Sequence, residues 1–277
     1  MNPFYKLRIK KRLMKRLALV LFFPFVLLTA CEKSDYPSSE WIDSDIIIEM
    51  WETLDPDERT FRFKCRTARI YPCYNFGIGR TLQKRPGRIT ILFQGIIRPG
   101  LCLTALGPAR TTVELGSLET GTYELDIRVE NRQSLGQLLV SDEYYEVNFH
   151  NRNQLRFDYD RLYKVPEHTI WGRIGYHAAS TQHLAESFLD SLQLAGASEK
   201  EFSHGQYGYF FIGEDGEVKP PQYPGTRFVK TFIFHYQDDV AILEQLVKNY
   251  GIHYHDSLSI RLYTDKGEIF RSWTYAN

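Results

Sequence analysis

The sequence predicts an all-β sandwich followed by an α+β domain. Three observations predict it. Up to about Pro166 apolar residues alternate in short runs without a helical period. After Pro166, two stretches with apolar residues three and four apart sit between further alternating runs. A basic and then greasy leader over residues 1–30 belongs to neither pattern. The 247 residues beyond it are long for one ordinary domain and comfortable for two.

In the leader, seven basic residues (Lys6, Arg8, Lys10, Lys11, Arg12, Lys15, Arg16) precede a 13-residue apolar run from Leu17 to Thr29. A spanning helix needs about 20 apolar residues, so the run is short for one. A basic start, a short apolar centre and a small residue before the cut describe a secretory signal peptide. Leu28-Thr29-Ala30-Cys31 resembles the lipobox of bacterial lipoproteins. That resemblance implies cleavage before Cys31, acylation of its thiol and amine, and anchorage in the lipid bilayer. Residues 31–42 are then a lipidated tether. Glu32-Lys33-Ser34-Asp35 lacks the Asp directly after Cys that retains lipoproteins in the inner membrane of enterobacteria, and resembles the export signals of Bacteroidetes surface lipoproteins. The implied address is the outer membrane, on its periplasmic or cell-surface face.

Removing the leader takes seven positive charges and no negative ones. The remaining 27 basic and 34 acidic side chains leave a net charge of about −7, a poor match for nucleic acid.

The sandwich is expected over residues 43–165. "DIIIEMW", "TFRFKCRTARIY", "RITILFQGII", "TTVELG", "TYELDIRV", "LGQLLVS" and "YYEVNF" alternate as strands, with "RPG", "LGP" and "ETG" among the turns. "LGSLETGTYELDIRV" resembles a hairpin common in immunoglobulin-like and fibronectin-like modules, with Gly121 in the turn and Tyr123, Leu125 and Ile127 facing the core. With Cys31 lipidated, three cysteines remain. Cys65 shares a strand face with Phe61 and Phe63 and reads as a buried thiol. Cys73 and Cys102 lie at strand ends and are expected to form a disulfide, a cross-link contributing about 3–4 kcal/mol.

Over residues 166–277, "TIWGRIGYH" reads as a strand. "STQHLAESFLDSLQLAGA" reads as a helix capped by Ser180 or Thr181 and ended by Gly196. "YGYFFI" and "RFVKTFIFHY" read as strands, separated by the turn "GEDG" and the loop "KPPQYPG". "DDVAILEQLVKNYG" reads as a helix with an Asp cap, a Glu244–Lys248 pair and Gly251 as its stop. "LSIRLYTDKGEIFRSW" reads as a hairpin around Asp265-Lys266-Gly267. This βαββαβ order plus an extra strand is the ferredoxin-like arrangement, with two helices on one sheet face.

No nucleophile elbow, phosphate loop, dinucleotide fingerprint or metalloprotease helix is present, and no cofactor is implied. "GIGRTLQKRPG" has glycines without the spacing of either nucleotide motif. "HYHD" would place His253 and His255 on one strand face, a weak metal signal. "DPDER" reads as a solvated turn. One constellation stands out. Strand alternation puts Trp171, Arg173, His177, His235, Arg261 and Tyr263 on the sheet face away from the helices. Aromatics with arginines suit a glycan, a peptide or an envelope protein partner, unless the sandwich packs there. The expected function is therefore a non-catalytic binding lipoprotein. The alternative is a secreted hydrolase whose site only folding assembles.

Overall fold

The computed structural model describes residues 40–219 and 227–275. The signal peptide, Cys31, the tether up to residue 39 and most of "KPPQYPG" lie outside them. The described fold is mostly β, with one large curled sheet and two smaller ones, consistent with an all-β sandwich.

β1 (Ile46–Thr53) pairs antiparallel with β2 (Thr60–Tyr71), with Ile48 opposite Cys65 and Met50 opposite Phe63. β3 (Gly77–Arg85), β4 (Arg88–Ile97), β5 (Gly107–Gly116), β6 (Gly121–Val129), β7 (Arg132–Val140) and β8 (Tyr144–Phe149) follow. Short β9 (Leu155–Phe157) and β10 (Arg161–Tyr163) complete the set. All ten join one sheet, in the order β10-β8-β7-β6-β4-β3-β5-β2-β1-β9. The sheet curls until its edges approach each other. Asp158 N donates to Ile48 O at one edge (2.9 Å), and Val147 N donates to Asp160 O at the other (2.8 Å). Inside, Phe61 stacks on Tyr145 at 4.1 Å, and Ile46, Phe63, Phe93, Ile127 and Leu138 are fully buried. Cys65 is buried and free, and burial raises its thiol pKa. Cys73 and Cys102 are disulfide-bonded, joining the β2–β3 connection to the β4–β5 loop.

"GIGRTLQKR" is a strand that the sequence reading missed. Of β3 only Ile78 is buried and Leu82 partly so, which leaves no alternation to read.

The remaining elements are β11 (Thr169–Tyr176), α1 (Gln182–Leu194), β12 (Gly205–Gln206), β13 (Phe211–Ile212), β14 (Val218–Lys219), β15 (Phe228–His235), α2 (Val240–Tyr254), β16 (Leu258–Thr264) and β17 (Ile269–Arg271). The main sheet runs β15-β11-β16-β17, antiparallel throughout. Phe188 and Leu192 of α1 and Leu243 and Val247 of α2 bury Ile170, Ile174, Phe232, Ile260 and Leu262. Asp239 caps α2, its carboxylate accepting from Ala241 N at 2.9 Å. Thr181 precedes α1 without a capping bond, because its hydroxyl donates to Ala178 O instead.

Four expectations change. The hairpin expected around Gly121 does not form, because β5 pairs with β2 and β3 while β6 pairs with β4 and β7. Gly251 does not stop α2. It is buried against the Ser272 backbone, where a Cβ would clash, and the helix runs on to Tyr254. "HYHD" therefore lies at a helix end rather than on a strand, and His253 Nδ1 sits 2.8 Å from Asn249 O. Among the described residues no cluster of metal-ligating side chains forms. "YGYFFI" is not a strand of the main sheet. Only Phe211–Ile212 is extended, and it pairs with β12 and β14 in a separate three-stranded sheet.

Candidate functional site

The strand phase places Trp171, Arg173, Arg261 and Tyr263 on the face away from the helices. Trp171 lies opposite Tyr263, and Arg173 opposite Arg261. The face is not open along its length, however. Trp171 is only 4 % exposed. Its ring stacks on Tyr263 at 5.6 Å and meets Tyr209 and Phe210 at 5.5 and 5.4 Å. Tyr209 also packs on Trp51 of β1 at 4.7 Å, and its hydroxyl accepts from Leu54 N. The chain around β12–β14 thus fills the space between the curled sheet and the small one, forming a third apolar core with Leu54 and Val165. Trp171 and Tyr263 belong to an internal interface.

The two histidines lie at the ends of that face, His235 in the phase of Trp171 and His177 just past its strand. His235 sits at the end of β15 opposite Thr169, bridged through its backbone to Ser198. His177 follows β11 and is exposed. These imidazoles are at opposite ends of the sheet. Arg173 and Arg261 are half-buried, and Arg271 of β17 lies opposite Arg261. Three arginines thus stand side by side on one face. Arg271 was not among the residues expected on this face, although the hairpin that carries it was; only the register shows it opposite Arg261. Arg261 donates to Tyr263 Oη at 3.3 Å and lies 5.0 Å from the Trp273 ring. Among the described residues neither Arg261 nor Arg271 has a carboxylate partner, whereas ten other arginines do.

A second site emerges only from the fold. A cleft of about 540 Å³ opens between the curled sheet and the chain near residue 202, with Glu52, Arg59, Tyr145, Tyr163, Lys164 and Tyr207 among its lining. Glu52 is 3 % exposed. It is in phase with Ile48 and Met50, so strand alternation turns it inward at the end of β1. Tyr145 Oη donates to its Oε1 at 2.9 Å, and Arg59 Nη1 lies 3.6 Å from Oε2, which has no hydrogen-bond partner. Burial raises the Glu52 pKa against the opposing pull of Arg59 and Tyr145. Burial also lowers that of Lys164, and it pushes Tyr207 up to about 12.

Arg59 is no part of a free turn. It donates to Val165 O at 2.6 Å and to Asp265 O at 3.3 Å, tying the β1–β2 turn to the second half of the chain. A smaller hollow of about 320 Å³ on the outer face of β4 and β6 contains Asp126. That carboxylate is engaged by Arg128 through both oxygens and by Gln133.

Comparison with protein families, with characterised proteins and with solved structures finds no match, so the site rests on its own geometry.

Proposed function

We propose that the chain is an exported outer-membrane lipoprotein, anchored through acylated Cys31, that binds an anionic envelope ligand through Arg261 and Arg271. The observation that carries the binding reading is this in-register pair of arginines, neither with a carboxylate partner among the described residues. Directly opposite cations on a sheet repel one another. A carboxylate, sulfate or phosphate group lying across them removes that repulsion and is gripped by planar guanidinium forks. Trp273, 41 % exposed beside Arg261, offers a ring face for a sugar, which favours a charged glycan over a peptide. The disulfide agrees with an oxidising compartment and so with export. Retention on immobilised polygalacturonate or chondroitin sulfate, but not on neutral dextran, is the expected result. Arg261→Gln with Arg271→Gln should weaken it roughly tenfold or more. Equal retention of the variant, or none by the wild type, would overturn the reading.

The Glu52 cleft favours a second reading, a hydrolase. A buried carboxyl that keeps its proton above the ordinary carboxylate range can serve as a general acid. Glu52→Gln would then abolish turnover of a cleft-bound substrate while sparing its binding.

The finer fold reading has support of its own. The order β15-β11-β16 with both helices on one face favours a ferredoxin-like second half, from which β13 departs by pairing elsewhere. The run of short alternating strands favours an immunoglobulin-like first half, from which the unformed hairpin at Gly121, the single continuous sheet and the parallel pairing of β4 with β6 depart.

A further inference from the structure

The end of the curled sheet that carries the disulfide is apolar and exposed. Leu101, Leu103 and Leu106 are 78, 51 and 75 % exposed, and Ile70, Tyr74 and Ile97 beside them are exposed too. They sit on two loops and the strand ends that lead into them, fixed as one platform. Cys73 is bonded to Cys102, Tyr74 N donates to Leu103 O, and the Asn75 side chain donates to Leu101 O (2.7 Å) and accepts from Leu103 N (3.1 Å). The strands below hold the same neighbours together, with Ile70 opposite Pro108 and Gly77 opposite Ile97. The core at this end is already closed by Tyr71, Phe76, Ile78 and Ile96, so the outer side chains are not needed to seal it. Contiguous exposed apolar surface of this kind marks a contact with something else.

The chain enters at the same end. Glu40 exchanges two backbone hydrogen bonds with Ile96 (3.0 and 2.7 Å), and Arg98 holds its carboxylate at 3.1 Å. Cys31 lies nine residues before Glu40, a distance of at most about 30 Å even when fully extended. An acylated Cys31 therefore brings this end within about 30 Å of lipid. Tyr74, with the Arg110 guanidinium 5.1 Å from its ring, has the amphipathic character of a residue at a membrane–water boundary.

We infer that this platform docks on the bilayer, with Leu101, Leu103 and Leu106 entering the headgroup region and fixing the orientation of the anchored protein. The inference rests on the lipid-anchor reading of Cys31. It has a consequence for the ligand sites. β2 carries Tyr71 at the platform and Thr60 at the junction with the second half. Its twelve residues, at about 3.3 Å each, separate the Glu52 cleft from the membrane by the length of the sheet. The cleft then faces away from the lipid.

The test uses the full lipidated chain in vesicles of phosphatidylethanolamine and phosphatidylglycerol whose acyl chains are brominated. Leu101→Trp and Leu106→Trp each add an indole to the platform. Leu194→Trp adds one at an equally exposed position at the end of α1. The expected result is that the emission added at 101 and 106 falls by roughly half or more, while that added at 194 is unchanged. All three variants should melt with the wild type, as exposed positions do. If the protein floats with the vesicles but 101 and 106 are quenched no more than 194, the docking inference is overturned and the anchor stands. If the wild type carries no acyl chain and does not float, both readings fall together.

Discussion

On one face of the four-stranded sheet, Ile170, Ile174, Phe232, Ile260 and Leu262 meet two helices and are buried along the whole length. On the other, the same strands present Trp171 beside Tyr263 and then a row of arginines. The first face is uniform because helices bring their own apolar stripe. The second is covered only where the chain from Tyr207 to Ile212 reaches it, and charge takes over where that cover ends. A sheet face is thus divided by what packs on it, not by its own alternation.

Trp171→Ala tests the covered part of the second face. The indole is buried among Tyr209, Phe210 and Tyr263, so removing it should cost about 3–5 kcal/mol in urea unfolding. Phe188→Ala on the helix face should cost a similar amount. A loss below about 1 kcal/mol at Trp171 would mean that its face is open after all.

Gly267 lies where the β16–β17 turn meets the end of β1. It takes φ +82° in the β16–β17 turn, and a Cβ there would run into the Leu54 carbonyl at the end of β1. Gly267→Ala combines left-handed backbone strain with that clash, for an expected loss of about 2–3 kcal/mol. An unchanged unfolding midpoint would show that the hairpin and β1 do not dock backbone to backbone.

Glu52 gives a smaller, pH-dependent effect. A carboxyl whose pKa is raised by folding binds its proton more tightly in the native state. Its contribution is fully present below the ordinary carboxylate range, falls as pH rises through that range to the raised value, and is flat above it. Glu52→Gln removes this fall and still accepts from Tyr145, while Arg59 keeps its bonds to Val165 and Asp265. Melting curves at about pH 4 and pH 7.5 should therefore show the variant gaining on the wild type as pH rises. Parallel pH profiles would contradict the buried, desolvated position of Glu52.

The sequence was legible where one side of an element is uniformly apolar. Both helices, seven strands of the curled sheet and the phase of Trp171 against Arg261 follow from periodicity, and the Cys73–Cys102 disulfide from the place of both cysteines at strand ends. β3 did not, since its side chains are polar on both sides but for Ile78 and Leu82. Nor did the cover over Trp171, which depends on a segment whose strands are two residues long. Glu52 left a signal, a lone acid in phase with Ile48 and Met50. It became meaningful only once Arg59 and Tyr145, distant in the chain, were seen beside it.

The smallest effect concerns the arginine strip and has the opposite sign from those at Trp171 and Gly267. Arg261 and Arg271 face each other across β16 and β17 with no carboxylate partner among the described residues. Their mutual repulsion costs a few tenths of a kcal/mol, as for other like-charged cross-strand pairs. Arg271→Gln removes one cation from a half-buried position and should leave stability unchanged or raise it by about 0.5 kcal/mol. Screening does the same work from outside, so added sodium chloride should stabilise the wild type more than the variant. Sulfate at equal ionic strength should widen that gap, because a divalent oxyanion can lie across two guanidinium groups at once. A variant that loses stability, or that responds to chloride and sulfate as the wild type does, would mean that the arginines are held by packing rather than set apart for an anion.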